Sequence, residues 1–210
     1  LKILSVNAGS SSLKFQLYEM PEEKVLISGL MERIGVGNSF YTIKVNGEKI
    51  KKEVELNNHE EAFETLVKEL EENNVVESLD EIEGIGHRVV QGGDYFDKTV
   101  VIDDEVLAKI DELSSLAPLH NPAAVTGIKA SKDVFPNAVQ TAVFDTAFHQ
   151  TMPKENFLYA LPISWYTDLK VRRYGAHGTS HKFVSQRMNE ILKRDDTKII
   201  TCHIGNGASV

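Results

Sequence analysis

Two short loops of this sequence are rich in glycine and in hydrogen-bond donors. The first loop covers residues 7–14, with the sequence NAGSSSLK, and it follows an apolar run at residues 1–6. Glycine lets the backbone approach an anion closely, the hydroxyl groups of Ser10 and Ser12 can donate to its oxygens, and Lys14 supplies a positive charge. No second glycine precedes Lys14, so the P-loop pattern is absent. The segment predicts either a phosphate-binding loop or an ordinary serine-rich hairpin turn.

The second loop lies near the other end of the chain, at residues 203–209, with the sequence HIGNGAS. It also follows a predicted strand. Taken alone, its Asn-Gly dipeptide is typical of a hairpin turn. Two such loops at matched strand ends could, however, hold one polyphosphate from both sides.

Two charged residues occupy unusual positions in the pattern of predicted strands. Arg88 lies among the apolar residues of a predicted strand at 84–90, where a guanidinium is costly unless a carboxylate or a phosphate pairs with it. Asp145 ends a second predicted strand, where open α/β sheets place ligand and metal groups. The alternatives are a structural ion pair for Arg88 and a turn-capping role for Asp145.

A histidine between glycines is a further candidate. His177 has Gly175 and Gly178 close by, so few side chains are available to pack against it, which favours an exposed, ligand-facing ring over a core position. His181 follows four residues later, but the His-Glu-x-x-His motif is absent and Gly178 is expected to break the helix that such a metal site needs. A serine hydrolase is also poorly supported, because no Gly-x-Ser-x-Gly elbow occurs.

Composition excludes several classes of protein. The 210 residues are 41% hydrophobic and 26% charged, which rules out disordered and fibrous chains. The formal charge of −8 argues against a protein that coats nucleic acid. Cys202 is the single cysteine, so no internal disulfide can form, and a cytoplasmic location is expected. No apolar run reaches the length of a signal peptide or a membrane span.

The order of predicted elements indicates an α/β fold with a mixed sheet. Strands are predicted at 1–6, 13–18, 24–30, 40–45 and 50–56, with a type I′ turn at Asn46-Gly47. Helices are predicted after Asn58 and Asp103, and strands and helices alternate thereafter. The later predicted elements are a helix at 123–132, a strand at 138–144, a helix from Ser180 to about residue 193 and a strand at 198–204. The last helix is expected to turn Phe183, Val184, Met188, Ile191 and Leu192 inward.

Six ordered motifs together resemble the acetate kinase family. They are VNAGSSSLKF at residues 6–15, GHRVV at 86–90, PLHNP at 118–122, FDTAFH at 144–149, RYG with HGTSH at 173–181, and HIGNG at 203–207. The resemblance covers all 210 residues. It implies the ribonuclease-H-like fold of actin and of acetate and sugar kinases, with a mixed sheet flanked by helices. It also implies reversible transfer of the γ-phosphoryl group of ATP to acetate, giving acetyl phosphate and ADP.

The resemblance also implies roles for individual residues. Asn7 would help to hold Mg²⁺, or Mn²⁺ in its place, Arg88 would grip the acetate carboxylate, and Asp145 and His177 would be catalytic. The nucleotide phosphates would be contacted by Lys14, Ser10, Ser12, His203, Ile204, Gly205, Asn206 and Gly207. Val90, Leu119 and Ala176 would line the pocket for the acetyl methyl group. The family usually carries Phe where this chain has Ala176, which predicts a looser pocket that accepts propionate more readily.

The resemblance places the chain in the first part of a two-lobed protein. Residues 1–196 are expected to form the first lobe, and residues 197–210 to begin a second, nucleotide-binding lobe whose remainder lies beyond Val210. The 210-residue chain is therefore expected to be inactive alone and to belong to a homodimer in its full-length form. The alternatives are a kinase for propionate or another short-chain carboxylate, and a non-catalytic ligand-binding or dimerisation fragment.

Overall fold

The computed structural model describes residues 1–210, which form two compact units. The first unit comprises Leu1–Val89 and Val100–Ala142, and the second comprises Val90–Thr99 and Val143–Val210. This division does not test the predicted lobe boundary between residues 196 and 197, which stays a prediction. No helix is both long enough and apolar enough to cross a membrane.

An eight-stranded mixed sheet forms the framework of the first unit. The strands are β1 (Lys2–Gly9), β2 (Ser12–Glu19), β3 (Lys24–Glu32), β4 (Phe40–Val45), β5 (Glu48–Glu53), β6 (Ile82–Val89), β7 (Val100–Val101) and β8 (Val139–Phe144). They lie in the order β5-β4-β3-β2-β1-β6-β8-β7. Strand β1 pairs with β2 in antiparallel orientation and with β6 in parallel orientation, which confirms the mixed α/β sheet.

One face of this sheet carries the hydrophobic core. Alternate residues of the central strands, among them Leu4, Val6, Leu13, Phe15 and Leu17, are almost completely buried. Because successive side chains of a strand point to opposite faces, the residues between them lie on the other, more polar face. The turn between β4 and β5 has positive φ angles at Asn46 and Gly47, so the predicted type I′ turn is confirmed.

Three helices belong to the first unit, and their starts follow the sequence signals. Helix α1 (His59–Glu72) is capped by the Asn58 side chain, and helix α2 (Asp104–Glu112) is capped by Asp103. Both predicted caps are confirmed. Helix α3 (Asn121–Val134) begins two residues before the predicted start, because Pro122 fits the first turn of a helix.

Helix α3 approaches the end of β1 very closely at Gly127. A Cβ atom added to Gly127 would lie 2.5 Å from the Cβ of Ala8, a distance that real Cβ atoms do not show. Helix α3 also contacts α1 and β6. The absence of a side chain at Gly127 therefore sets how closely α3 lies against the strand that carries Asn7.

The second unit contains three helices and a small hairpin. They are α4 (Lys154–Phe157), α5 (Ser164–Leu169), α6 (Gly178–Leu192), β9 (His203–Ile204) and β10 (Ala208–Ser209). A 3₁₀ helix at Ala147–Thr151 contacts α6. The predicted strand at 198–204 is wrong except for its last two residues, because only His203–Ile204 finds a pairing partner, in β10.

Two predictions for the last helix are also wrong. Helix α6 begins at Gly178, with His177 in the cap position, rather than at Ser180. Its apolar stripe is exposed instead of inward, with Phe183 at 65% and Ile191 at 61% exposure and Val184, Met188 and Leu192 also exposed. The physical reason is that Gly178 and His181 are the buried residues of α6, so the stripe lies on a different side of the helix.

The imidazole of His87 lies in the first unit on the core side of β6. Its Nε2 donates to Gln140 Oε1 at 2.6 Å, and Ser131 Oγ donates to the same oxygen at 3.1 Å. Burial lowers the pKa of His87 to about 4, so the ring is neutral at pH 7. These bonds join β6, α3 and β8 on the side opposite to the one that Arg88 faces by strand alternation.

We expect Gly127→Ala to destabilise the chain. Alanine normally improves a helix interior by about 1 kcal/mol relative to glycine. Here the overlap with Ala8 should reverse that sign and lower the free energy of unfolding by about 1 to 3 kcal/mol. Urea unfolding measures the change. Thr126→Ala, at the exposed neighbouring position, is the control. A gain in stability in Gly127→Ala would contradict the prediction, because it would show that a methyl group fits between α3 and Ala8.

We also expect His87 to make stability depend on pH. Between about pH 6.5 and pH 4 the unfolded chain binds the His87 proton and the folded chain does not, so stability falls as the pH decreases through this window. The loss attributable to His87 should approach about 3 kcal/mol. Unfolding curves of His87→Asn should lack this component, whereas the exposed His120→Asn should retain it. Parallel pH profiles for wild type and His87→Asn would contradict the assignment.

Candidate functional site

Asn7 and Lys14 lie directly opposite each other in the first unit. They are register partners on the antiparallel strands β1 and β2, so their side chains project from the same face of the sheet. The predicted loop is therefore shorter than expected: β1 continues to Gly9, β2 starts at Ser12, and only Ser10 and Ser11 form the turn. Strand geometry, rather than a flexible loop, fixes the spacing of the amide and the ammonium group.

Arg88 belongs to the same face of the sheet. Val6 on β1 pairs with His87 on the parallel strand β6, and both side chains are buried in the core. Alternation along each strand then places Asn7 and Arg88 side by side on the opposite face. Three neighbouring strands thus present an amide, an ammonium group and a guanidinium on one surface, a donor set that suits an anion.

The tip of the first hairpin is held from the core side. His59, at the start of α1, bonds through Nε2 to the Gly9 carbonyl oxygen at 2.8 Å. A Cβ atom on Gly9 would lie 2.7 Å from Ser12 Oγ, so a side chain there would crowd the serine hydroxyl. Sequence reasoning did not select His59, because a histidine that begins a helix gives no local sign of a contact fifty residues away.

Asp145 lies in the second unit, where it directly follows β8. It is only 3% exposed, and its backbone carbonyl accepts a hydrogen bond from the Gly178 nitrogen at 2.8 Å. A Cβ atom on Gly178 would lie 2.3 Å from that carbonyl oxygen. The prediction that Gly178 breaks a helix is therefore wrong, because α6 begins at this residue. It allows the first turn of α6 to lie against the end of β8.

His177 is held in an unusual backbone conformation beside the second loop. Its φ angle of 53° is in the left-handed region, which few residues other than glycine adopt without strain. Its ring stacks on His203 with centroids 4.0 Å apart, and its Nδ1 lies 2.9 Å from Ser209 Oγ. The structure therefore brings together His177 and the loop at 203–209, both selected from the sequence.

Residues 175–177 are shaped by a histidine that the sequence analysis did not assign to the site. His149 Nε2 donates to the Ala176 carbonyl oxygen at 2.9 Å. Gly175 has a φ of 81°, and a Cβ atom there would lie 2.4 Å from the His149 ring. The position of His149 in the FDTAFH motif was the signal that could have identified it.

The three residues expected to line a methyl pocket do not lie in one unit. Leu119 belongs to the first unit and is 78% exposed, whereas Val90 and Ala176 belong to the second, where Val90 is half-buried and Ala176 is exposed. Their assembly into one pocket stays a prediction. Arg88 and Lys14 likewise belong to the first unit, and Asp145 and His177 to the second.

No group of three or more His, Cys, Asp or Glu side chains has an arrangement that could hold a metal ion. Mg²⁺ needs less from a protein, since it usually keeps several waters and takes one or two oxygen ligands together with substrate phosphates. Asn7 in the first unit and Asp145 in the second each carry a side-chain oxygen of that kind, and a role for either in holding a metal ion stays a prediction.

Comparison with known proteins agrees with the fold and the motifs. The model of the acetokinase family matches residues 2–210. An acetate kinase of Macrococcus caseolyticus is 55% identical over 100% of this chain and 53% of its own length. Among solved structures, the acetate kinase of Porphyromonas gingivalis has a TM-score of 0.93 at 46% identity, and a propionate kinase of Francisella tularensis has 0.93 at 44%.

Each of these two structures covers 99% of this chain, while the chain covers 53% of each structure. The chain thus spans about half the length of the relatives that it matches. The likeness confirms the ribonuclease-H-like fold expected from the sequence. The match over nearly all residues, together with the ordered motifs, shows that this chain belongs to the acetokinase family.

Proposed function

We propose that this chain supplies the acetate-binding and part of the phosphoryl-binding residues of an acetate kinase. The reaction is reversible transfer of the γ-phosphoryl group of ATP to acetate, giving acetyl phosphate and ADP. The observation that carries the proposal is the stacking of His177 on His203 at the start of a glycine-containing loop. An imidazole donor beside a loop of backbone N–H groups is suited to the charge that develops on a phosphoryl group in transfer.

The polar face of the sheet supplies the positive charge in this proposal. Arg88 binds the carboxylate of acetate, since a guanidinium matches the geometry of a carboxylate with two parallel hydrogen bonds. Lys14 contacts the nucleotide phosphates, and Ser10 and Ser12 add hydroxyl donors at the hairpin tip. The loop at 203–207 contributes further donors from the second unit.

Asp145 acts by position rather than as a base. Acetate is already ionised at neutral pH, so no proton has to be removed before it attacks phosphorus. Phosphoryl transfer depends mainly on alignment and on neutralised charge. Asn7 and Asp145 would hold the Mg²⁺ or Mn²⁺ ion that accompanies ATP, which would offset the negative charge of the phosphate oxygens when bound.

The family resemblance and the composition support the wider setting that we propose. It comprises a cytoplasmic enzyme that acts as a homodimer in its full-length form and has no nucleic-acid or membrane partner. Its product, acetyl phosphate, would feed the formation of acetyl-CoA. A reducing location agrees with the exposed, unpaired Cys202.

Removing either central donor tests the proposal in the full-length protein. We expect Arg88→Ala and His177→Ala each to lower kcat by about 10²- to 10³-fold, as loss of one transition-state donor typically does. ATP binding, measured by calorimetry, should change little. Lys68→Ala, at an exposed position of α1, is the control. Unchanged kcat in either variant would remove that residue from the mechanism.

A kinase for propionate or another short-chain carboxylate is the second candidate. It is favoured by Ala176, which is exposed and small, and by the likeness to the Francisella tularensis propionate kinase. We expect Ala176→Phe to lower kcat/KM for propionate relative to acetate by about 10-fold or more, within the range that one methylene can discriminate. Equal ratios before and after the substitution would refute the looser pocket.

A non-catalytic ligand-binding or dimerisation role is the alternative for the 210-residue chain alone. Such a fragment could bind ATP, but it would not form acetyl phosphate. Calorimetry with ATP and Mg²⁺ reports binding, whereas the appearance of acetyl phosphate reports turnover.

A further inference from the structure

A serine hydroxyl in the second unit lies between two imidazole rings. Ser209 Oγ is 2.9 Å from His177 Nδ1 and 2.8 Å from His181 Nε2. On the far side of the second ring, His181 Nδ1 lies 2.7 Å from Thr201 Oγ1. These contacts form a continuous chain from Thr201 through His181 and Ser209 to His177. His181 is only 5% exposed.

The number of protons limits the possible arrangements of this chain. A hydroxyl has one proton to donate, and a neutral imidazole has one N–H donor and one acceptor nitrogen. Burial, together with the neighbouring His149 and His203, lowers the pKa of His181 and favours its neutral form. Ser209 can therefore donate to at most one of the two rings, although its oxygen can accept from both of them.

These arrangements differ in which nitrogen of the His177 ring carries the proton. When Thr201 donates to His181, His181 donates to Ser209 and Ser209 donates to His177 Nδ1, so a neutral His177 carries its proton on Nε2. When the chain runs the other way, or when both rings donate to Ser209, the proton is on Nδ1 and Nε2 of a neutral ring can only accept. Phosphoryl oxygens are acceptors, so only the first direction provides a donor for them.

We propose that Ser209 and His181 are positioning residues for His177, and that with Thr201 they hold its ring with the proton on Nε2. The direction that we assign to the hydrogen-bond chain rests on the proposed function. The other contacts of His177 agree with a ring that is fixed in place. It stacks on His203, whose Nδ1 is bonded to Ser180 Oγ at 3.0 Å, and its own backbone is left-handed.

The backbone conformation adds a reason for such support. A left-handed residue other than glycine is strained by about 1 kcal/mol or more and persists only where its surroundings hold it. The bond to Ser209 and the Gly178–Asp145 bond restrain His177 from its side chain and from the adjoining peptide. Loss of Ser209 Oγ would leave Nδ1 without this partner and release the ring from one restraint.

The experiment uses the full-length protein with ¹⁵N-labelled histidine. In the wild type, above the pH at which His177 titrates, imidazole ¹⁵N spectra should show Nε2 protonated and Nδ1 as a hydrogen-bonded acceptor. In Ser209→Ala the hydrogen-bond signature of Nδ1 should disappear. The kcat should fall by about 10- to 100-fold, the usual scale for removal of a group that orients a functional histidine. The KM values for ATP and acetate should stay within about threefold of the wild type.

Two further variants separate positioning from general damage. Ser209→Thr keeps the hydroxyl and should restore both the Nδ1 signature and most of kcat. Ser185→Ala removes a hydroxyl of α6 that donates to the Lys182 carbonyl oxygen, and it should change neither readout.

The outcomes of this experiment distinguish failure of the positioning proposal from failure of the proposed function. A wild-type His177 with its proton on Nδ1, or a Ser209→Ala enzyme with unchanged kcat, would overturn the proposal. A wild-type protein that forms no acetyl phosphate would instead overturn the proposed function. In that case, an Nδ1 signature that depends on Ser209 would still support the hydrogen-bond chain.

Discussion

The second unit depends on one close backbone contact, between the Gly178 nitrogen and the Asp145 carbonyl oxygen. At 2.8 Å this hydrogen bond ties the first turn of α6 to the residue that follows β8. Its cost is that position 178 can carry no side chain, because a Cβ atom would lie 2.3 Å from the same oxygen. The hydrogen bond joins Asp145 to Gly178, and Gly178 directly follows His177, so the backbones of two candidate catalytic residues lie close together. Their separation is therefore fixed by backbone rather than by flexible side chains.

In the first unit, the register of the strands fixes the positions of the candidate side chains. Asn7, Lys14 and Arg88 share a face because β1 pairs with both β2 and β6, and a slip of one residue in either pairing would send the corresponding side chain into the core. The apolar partners on the opposite face, such as Val6 and Phe15, make that slip expensive. Burial on one side of the sheet thus determines which polar groups appear on the other.

Local signals predicted the elements that local chemistry determines. The Asn58 and Asp103 caps and the Asn46-Gly47 turn were correct, because each involves residues within four positions of one another. The inward face of α6 and the strand at 198–204 were wrong. Both depend on which distant segment lies alongside, and the amphipathic pattern of Phe183 to Leu192 contains no information about that partner.

The same distinction applies to the candidate site. Arg88, Asp145 and His177 could be selected from the sequence, since charge or glycine flanking made them unusual where they stand. Ser209 and His181 could not be given their relation to His177, because a hydrogen bond between residues 28 or 32 positions apart leaves no trace in spacing. The motif at 203–209 was interpreted as a hairpin turn or, together with the first loop, as a phosphate-binding loop. The structure adds that its last serine contacts the imidazoles, which explains how one short hairpin can present backbone donors and also orient a side-chain donor.

The net negative charge of the chain restricts how it could bind an anion. A chain with a formal charge of −8 disfavours anions at long range, so the phosphate binding that we propose would have to arise from groups within a few ångströms. The cations of the first unit, Lys14 and Arg88, are anchored on strands, and the donors of the second unit are backbone N–H groups and imidazoles. Burial and the neighbouring His149 and His203 lower the pKa of His181, which favours its neutral form. A neutral ring can stabilise negative charge only through an oriented N–H donor, and in our proposal the contacts of Ser209, Thr201 and Ser180 provide that orientation.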